Sequence, residues 1–208
     1  MRFCVDASVD GAQQYNVVNV LLAPGVVFDS ALHQRNFYTT SSCGVCGKAS
    51  IAAVRAAGCP VVRGDLRVTA ETVLALTDQL RARQAVFDRT GGLHAAALFT
   101  AEGELIAVRE DVGRHNAMDK LVGARLLAGE LPLSDCIAMV SGRLSFELVQ
   151  KAARAGVTIL VGVSAPSSLA VELAGDVGMT LIGFLRKGRF NVYTGGDRVT
   201  VGSVVVRS

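Results

Sequence analysis

Hydrophobic and polar positions along the chain follow two periods, one typical of strands and one typical of helices. Short apolar runs predict strands, whereas apolar residues spaced three and four positions apart predict helices with one buried face. The runs that predict strands are residues 17–22, 26–28, 94–99, 105–108, 137–140, 157–163, 179–184 and 190–194. The apolar tail over residues 199–206 predicts a last strand.

Helices are predicted between most of these strands, over residues 43–57, 69–87, 116–122, 145–155 and 167–174. Thr69 and Asn116 are expected N-caps, and Gly58 and Gly156 are expected to end helices. Alternating strands and helices indicate an α/β fold whose mostly parallel or mixed sheet is covered by helices on both faces. We expect one domain over residues 1–208, with a mobile loop over the polar residues 33–42.

Composition narrows the class of protein. A chain of 208 residues with 50% hydrophobic content can bury a core without metals or disulfides. A net charge of +3, no tryptophan and three tyrosines argue against nucleic acid as a partner. No apolar run reaches the roughly 20 residues of a membrane-spanning helix. The odd count of five cysteines and the absence of an export signal at the N-terminus predict a reducing, cytoplasmic location.

The pair Cys43 and Cys46 is the clearest chemical signal in the sequence. The two thiols are separated by two residues, follow small hydroxyl residues and precede Gly47 and Lys48, a pattern that fits the start of a helix. Unpaired N–H groups and the helix dipole favour a thiolate there. A thiol-disulfide oxidoreductase and a structural zinc site both remain open. No second Cys-x-x-Cys or histidine pair at suitable spacing completes four zinc ligands, so no metal is expected.

Two strand-to-helix junctions offer small residues and hydroxyls. Residues 141–145 follow one predicted strand, and residues 164–168 follow the next. Ligands of parallel sheets gather at such junctions, where helix N-termini bind anions, although ordinary helix caps use the same residues. Arg143 is the strongest candidate, because a guanidinium can hold a phosphate with two hydrogen bonds.

The densest polar stretch covers residues 109–120. It contains three acids, three bases, His115 and Asn116, and it predicts either a recognition loop or a helix start with local ion pairs. His94 begins an otherwise apolar run, so we interpret it as a packed, hydrogen-bonded histidine. The basic residues around Gly188 predict a hairpin tip that suits a diphosphate, although exposed basic turns are also common on protein surfaces.

Five segments in order, residues 41–48, 90–97, 109–120, 141–151 and 183–189, resemble the formate dehydrogenase accessory sulfurtransferase family. The resemblance covers about residues 16–198. It implies a three-layer α/β/α sandwich with a core like that of cytidine deaminase, and a homodimer. Family members usually carry several dozen residues before the segment that here begins near Tyr15, so we expect that N-terminal portion to be absent.

The resemblance also implies a function. Family members accept sulfur as a persulfide from a cysteine desulfurase. They pass it to the molybdenum (or tungsten) bis(guanine dinucleotide) cofactor before the cofactor enters formate dehydrogenase. The cofactor is then a transient ligand, and no permanent cofactor is expected.

Single residues of this chain match the family's motifs. Cys43 matches the persulfide cysteine and Cys46 its companion. The cofactor-binding stretch corresponds to Phe184, Leu185, Arg186, Lys187, Gly188 and Arg189. We add Arg143 and His115 as further candidate cofactor contacts, together with Asp111 or Asp119, since a carboxylate can accept the N–H groups of guanine.

Overall fold

The computed structural model describes residues 2–3, 18–28 and 59–200 of a chain that falls into two compact units, Met1–Thr40 and Ser41–Ser208. In the first unit, strand β1 (Arg2–Phe3) pairs antiparallel with β2 (Val18–Asn19). Residues 26–28 form no strand, so that prediction is wrong. They follow a turn with Gly25 at φ 84°, and they pair with no strand among the described residues.

The second unit contains the main sheet and the helices that cover it. Its elements in chain order are β3 (Val68–Thr69), α1 (Ala70–Arg81), α2 (Ala85–Thr90), β4 (His94–Phe99), β5 (Leu105–Asp111), α3 (Arg114–Leu127), β6 (Ile137–Val140), α4 (Phe146–Arg154), β7 (Ile159–Gly162), α5 (Ser168–Asp176), β8 (Thr180–Arg186), β9 (Arg189–Thr194) and β10 (Val199–Thr200). The strand order in the six-stranded sheet is β5-β4-β6-β7-β8-β9. β10 pairs in parallel with β3 in a separate two-stranded sheet.

The six-stranded sheet is mixed. β6, β7 and β8 are parallel, whereas β4 is antiparallel to both β5 and β6, and β9 is antiparallel to β8. The parallel pairs are joined by the crossover helices α4 and α5, and the antiparallel pairs β4–β5 and β8–β9 are joined by short turns, as chain connectivity requires. The predicted α/β class with a mostly parallel or mixed sheet is confirmed.

Helices cover both faces of this sheet. Leu98 packs with the buried sides of α3, α4 and α5, whereas Phe99, the next residue of β4, packs with α1 on the opposite face. Successive strand residues point to opposite faces, so a strand buried on both sides is apolar on both sides. This holds for β6 and β7 and for β4 after its first residue, His94. The arrangement is the expected three-layer α/β/α sandwich.

Two helix boundaries differ from the predictions. Thr69 caps α1 as predicted, its Oγ1 accepting from Thr72 N at 3.1 Å, but α1 ends at Arg81 and a second short helix carries the chain to Thr90. α3 begins at Arg114 after Gly113, not at Asn116. The side chain of Asn116 instead donates to Asp111 Oδ1, which also accepts from Gly113 N at the start of this helix.

Several predictions lie outside the described residues. They are the helix over residues 43–57, the mobile loop over residues 33–42, and the tail beyond Thr200. Among the residues that are described, no helix is both long enough and apolar enough to cross a bilayer.

Candidate functional site

The topology brings most of the candidate residues to one edge of the six-stranded sheet. The parallel strands β6, β7 and β8 all end at this edge. Because β4 and β9 run antiparallel to them, these two strands begin at the same edge, where β5 ends. His94, Asp111, Arg143 and the turn between β8 and β9 therefore share it. This is the edge at which parallel sheets bind ligands.

Backbone hydrogen bonds extend the sheet beyond the ends of its parallel strands. Ser164 N donates to Gly142 O at 3.4 Å, and Phe184 N donates to Ser164 O at 3.2 Å. Leu144 N donates to Ala165 O at 3.1 Å. The three chain segments that follow β6 and β7 and complete β8 are thus held side by side, which limits the movement of any side chain they present.

The turn between β8 and β9 is a tight basic hairpin. Its two central residues, Lys187 and Gly188, have φ angles of 52° and 71°. Positive φ at both positions is what a type I′ hairpin turn requires, which explains the glycine. Arg186, Lys187 and Arg189 are exposed, and no carboxylate of the described chain forms an ion pair with any of them. The predicted basic hairpin is confirmed, and its three charges are available to an anion.

The first two residues of the predicted cofactor stretch have different surroundings. Leu185 is 1% exposed and packs in the core beside α1, so only its backbone can meet a ligand. Phe184 has φ 54° at a register irregularity of β8, a conformation that is uncommon for a residue other than glycine. The guanidinium of Arg186 lies 5.5 Å from the centre of the Phe184 ring. This irregularity is a β-bulge, and bulges commonly redirect side chains. Here the bulge turns Phe184 towards the exposed hairpin.

A cluster of basic side chains lies beside the end of β6. We call Arg143, Arg114, His94 and His115 the basic cluster. Burial lowers the pKa of His94 first, and the positive charges of Arg114, Arg143 and His115 lower it further. A Cβ atom placed on Gly142 would lie 3.3 Å from His94 Nδ1 and 3.8 Å from Arg114 Cδ, which shows how closely the segment after β6 approaches both residues.

Two members of the basic cluster were not identified from the sequence. His94 was interpreted as a packed core histidine, but it lies half-buried at the sheet edge among cations. The only available signal was its position at the first residue of a strand, which does not reveal its neighbours. Arg114 belongs to the polar stretch over residues 109–120, where nothing distinguished it from the other charges.

His115 joins helices α3 and α4. Its Nε2 atom lies 3.0 Å from Ser145 Oγ and 3.6 Å from Glu147 Oε2. The imidazole beside Glu147 is the main reason why the pKa of that carboxyl falls to about 2, and burial of the carboxyl opposes the shift. The imidazole of His115 is therefore held by Ser145 and Glu147 at the start of α4. Its direct contact with a cofactor stays a prediction.

Asp111 has partners on both carboxylate oxygens. Its Oδ1 atom accepts from Gly113 N at 2.9 Å and from Asn116 Nδ2 at 3.0 Å, and its Oδ2 atom pairs with Lys120 Nζ at 2.5 Å. The hydrogen bond from Lys120 contributes most to lowering the pKa of Asp111 to about 2, followed by those from Gly113 and Asn116. These contacts organise the start of α3, so a guanine would have to share the carboxylate with them. The alternative acid, Asp119, pairs with Lys151 Nζ at 2.5 Å.

A cavity of about 500 Å³ opens at the same edge, on the face covered by α1. It is lined by Thr77, Asp78, Leu80, Arg81, Gln84, Phe87, Gly91, Gly92, Leu93, His94, Ser141 and Val163. Sequence patterns did not predict it, because its polar residues occupy ordinary solvent-side positions of an amphipathic helix and the turn that follows.

Cys43 and Cys46 lie outside the described residues, so the structure gives no geometry for the predicted persulfide pair. Two other cysteines, Cys59 and Cys136, are free thiols that are partly buried. Burial raises the pKa of both thiols, which makes them poor nucleophiles. Among the described residues, no group of three or more His, Cys, Asp or Glu side chains is placed to hold a metal ion.

Comparison with known proteins identifies close relatives. A family model described as the FdhD/NarQ family matches residues 7–200. The sulfur carrier protein FdhD of Streptomyces coelicolor is 59% identical over 205 residues, which are 98% of this chain and 73% of that protein. The protein of the same name from Mycobacterium tuberculosis is 54% identical over 94% of this chain and 71% of its own length. The one from Sulfolobus acidocaldarius is 45% identical over 88% and 69%.

A solved structure has a similar fold. The crystal structure assigned to a formate dehydrogenase accessory protein from Desulfotalea psychrophila superposes with a TM-score of 0.61 at 31% sequence identity. The superposition covers 68% of this chain and 59% of that protein, so less than two thirds of the Desulfotalea psychrophila protein is matched.

Proposed function

This chain belongs to the FdhD/NarQ family, and from that membership we propose that it is a sulfur carrier required for formate dehydrogenase activity. The observation that carries the proposal is the match to sulfur carrier proteins along nearly the whole chain at up to 59% identity. The exposed cations Arg186, Lys187 and Arg189, which form no ion pair with a carboxylate of the described residues, support an anionic sulfur acceptor. We further propose that the protein works as a homodimer in the cytoplasm.

In the proposed first step, the Cys43 thiolate attacks the terminal sulfur of a persulfide on a cysteine desulfurase. The sulfur–sulfur bond of the desulfurase breaks and a new one forms at Cys43, leaving a cysteine persulfide on this chain and a thiolate on the desulfurase. Neither protein is oxidised or reduced overall, because only the sulfane sulfur moves. Gly44 and Gly47 flank Val45 and Cys46 in the sequence and carry no side chain that could hinder this attack.

In the proposed second step, the sulfur leaves as sulfide and is bound by the metal of the cofactor. The Cys46 thiolate attacks the Sγ atom of Cys43, so that a Cys43–Cys46 disulfide forms and hydrosulfide departs. The two cysteines supply the two electrons that reduce the sulfane sulfur. A dithiol reductant of the cell then restores both thiols, completing the cycle.

The proposed recipient is the molybdenum bis(guanine dinucleotide) cofactor, a substrate whose diphosphates need cations. Arg186 and Arg189 flank a turn whose exposed backbone and side chains offer N–H donors, and guanidinium groups can bind phosphate oxygens in pairs. Arg143 lies at the same edge, two strands away across β7. An anionic ligand can therefore be met by charge from two directions, although the net charge of the whole chain is only +3.

Mass spectrometry after incubation with a cysteine desulfurase and cysteine tests the sulfur-carrier proposal. A 32-dalton adduct that is removed by a thiol reductant should form on Cys43 and be absent from Cys43→Ala. Cys59→Ala and Cys136→Ala are matched controls, because their thiols are free but have raised pKa values. An adduct that persists in Cys43→Ala, or none in the parent protein, would overturn the assignment.

The role of Cys46 has its own test. Cys46→Ser should still accept sulfur on Cys43 but should fail to restore formate dehydrogenase activity, because the resolving thiol is missing. If Cys46→Ser delivers sulfur as well as the parent protein, the disulfide step is wrong while the persulfide step stands.

A further inference from the structure

An exposed apolar surface lies on the first unit of the chain, over residues 20–28, which we call the apolar segment. Eleven large hydrophobic residues are exposed in the part of the chain that the structure describes, and six of them fall within these nine positions. The other five are scattered over the second unit. Single exposed hydrophobic residues are normal on protein surfaces, whereas a contiguous group indicates an interaction site. The six are Val20, Leu21, Leu22, Val26, Val27 and Phe28.

A tight turn divides the apolar segment into two halves. Val26 N donates to Ala23 O at 3.2 Å, which closes the turn. Pro24 is its first central residue, and Gly25, at φ 84°, is its second. Proline followed by a residue with positive φ is the pattern of a type II turn, in which the chain reverses its direction. Residues 20–22 and 26–28 therefore lie on either side of one turn and form a single surface.

The small sheet of the first unit leads directly into this surface. Strands β1 and β2 have two residues each, and within the described residues they pair only with each other. A two-stranded sheet is at best marginally stable by itself and gains stability when further strands or another apolar surface pack against it. Because residue 20 follows β2 immediately, a partner that covers the apolar segment also supports the sheet.

The chemistry of the apolar segment suits a second copy of the same segment. None of its nine residues has a charged or polar side chain. In an interface with two-fold symmetry the same patch meets itself, so a charged patch would face its own charge, whereas an uncharged patch meets no repulsion. Homodimer interfaces are also more apolar than the interfaces of transient complexes. The segment is thus complementary to itself.

The surface is large enough for a specific interface. At their observed exposures, which reach 82% for Leu21 and 92% for Val27, the six residues present on the order of 600 Å² in each copy. Two copies would together bury roughly 1,200 Å², which reaches the lower limit of specific, stable protein interfaces. Contacts that arise only from crystal packing are usually smaller.

We propose that two copies of this chain associate through the apolar segment, with residues 20–28 of one copy packed against residues 20–28 of the other. Leu21 and Val27 contribute the most surface to this contact, because they are the most exposed of the six. The inference rests on the proposed function, which includes a homodimer, and assigns that homodimer a surface.

Sedimentation equilibrium over a range of protein concentrations tests the proposal. The parent should form a species of twice the 21.7 kDa of one chain. Leu21→Glu and Val27→Glu should each weaken this association at least tenfold, because each places a charge without a partner in the interface. Leu127→Glu is the matched control and should associate like the parent, since Leu127 is 73% exposed at the end of α3 in the second unit.

Photo-crosslinking locates the contact without relying on a loss of association. Phe28→p-benzoylphenylalanine should cross-link two copies, whereas the same substitution at Leu127 should not. Val27→Ser is a milder change that should also weaken association if the glutamate variants do not fold. Thermal unfolding checks each variant.

A parent dimer that is unchanged in folded Leu21→Glu and Val27→Ser would overturn the assignment of this surface, while the homodimer would stand. A parent that is monomeric at every concentration would reject both. If the monomeric parent binds phosphatidylcholine vesicles and Val27→Glu does not, the apolar segment contacts lipid and the proposal is wrong. Sulfur loading of Cys43 is measured separately, so a failed sulfur-carrier proposal can be told apart from a failed interface.

Discussion

His115 Nε2 and Ser145 Oγ lie 3.0 Å apart, and Ser145 Oγ accepts no capping hydrogen bond from an N–H group of α4. Ser167 at the start of α5 shows the ordinary alternative, with its Oγ accepting from Ala170 N at 3.2 Å. The imidazole thus ties the start of α3 to the start of α4 at the sheet edge that presents Arg143. Glu147, 3.6 Å from the same imidazole nitrogen, completes the connection.

Glu147 should make the protein less stable at low pH. Its pKa is lowered from 4.5 to about 2 in the folded state, mainly by His115, so the unfolded state binds more protons between these values. The stabilisation is present above about pH 4.5 and is lost as the pH falls towards 2. After allowance for solvent screening of this partly exposed group, Glu147→Gln should cost on the order of 1 kcal/mol near pH 7.

Urea unfolding at several pH values measures this effect. The difference between the parent and Glu147→Gln should shrink below pH 4.5 and vanish near pH 2. A difference that does not change with pH would show that Glu147 stabilises through packing and not through its charge.

His94 should titrate below its usual range and respond to anions. Burial and the neighbouring cations lower its pKa from 6.5, so the unfolded state takes up the proton first and stability falls as the pH drops below 6.5. Phosphate or GDP bound at the basic cluster should raise the pKa of His94, because the added negative charge offsets Arg114 and Arg143. Proton NMR of the imidazole signals measures both effects, with His94→Gln identifying the resonance. If neither anion changes the pKa of His94, this residue is not part of the anion-binding site.

Gly183 should be essential to the shape of the sheet edge. A Cβ atom there would lie 2.9 Å from Pro166 Cδ and 3.3 Å from Ser164 O, which is a backbone atom held in the sheet. Gly183→Ala should therefore lower the free energy of unfolding by about 1–3 kcal/mol. At Gly196 the nearest atom would be 3.7 Å away, so Gly196→Ala is the control and should change stability by much less. Equal effects in chemical denaturation would contradict the crowding argument.

The basic hairpin should contribute directly to nucleotide binding. Replacing both Arg186 and Arg189 by alanine should weaken GDP binding by tenfold or more, because two guanidinium groups are lost from a turn that forms no ion pair with an acid of the described residues. Arg63→Ala/Arg83→Ala removes the same charge from exposed positions outside the hairpin and outside residues 109–120, and serves as the control. If calorimetry shows an equal loss of affinity for GDP in the two double variants, the hairpin contributes to binding only through the net charge of the protein.

Asp111 should matter more for stability than Asp119. Asp111→Ala removes the acceptor for Gly113 N, Asn116 Nδ2 and Lys120 Nζ, and should lower the thermal unfolding midpoint. Asp119→Ala removes an exposed ion pair with Lys151 and should have little effect. If Asp111→Ala instead leaves the midpoint unchanged and weakens GDP binding, its main function is recognition.

Local sequence patterns were sufficient for much of the framework. The apolar runs at His94–Phe99 and Ile137–Val140 give two strands with the predicted bounds, since both are buried on two faces. Basic residues around Gly188 identified the hairpin, because a tight two-residue turn needs positive φ. Helix boundaries that depend on competition between side chains were harder to predict from the sequence. Asn116 has the chemistry of an N-cap, but Asp111, which lies five positions earlier, uses it as a hydrogen-bond donor.

The sequence by itself determined the α/β class, the basic turn and the ordered motifs by which the family was identified, because each depends on residues close together in the chain. Only the tertiary structure decided that His94, Arg114 and Arg143 form one cluster and that Gln84 and Asp78 share a cavity wall. These groupings depend on strand order and direction, with β4 antiparallel and β6, β7 and β8 parallel. Contacts between residues far apart in the chain follow from the sheet topology, which local patterns do not encode.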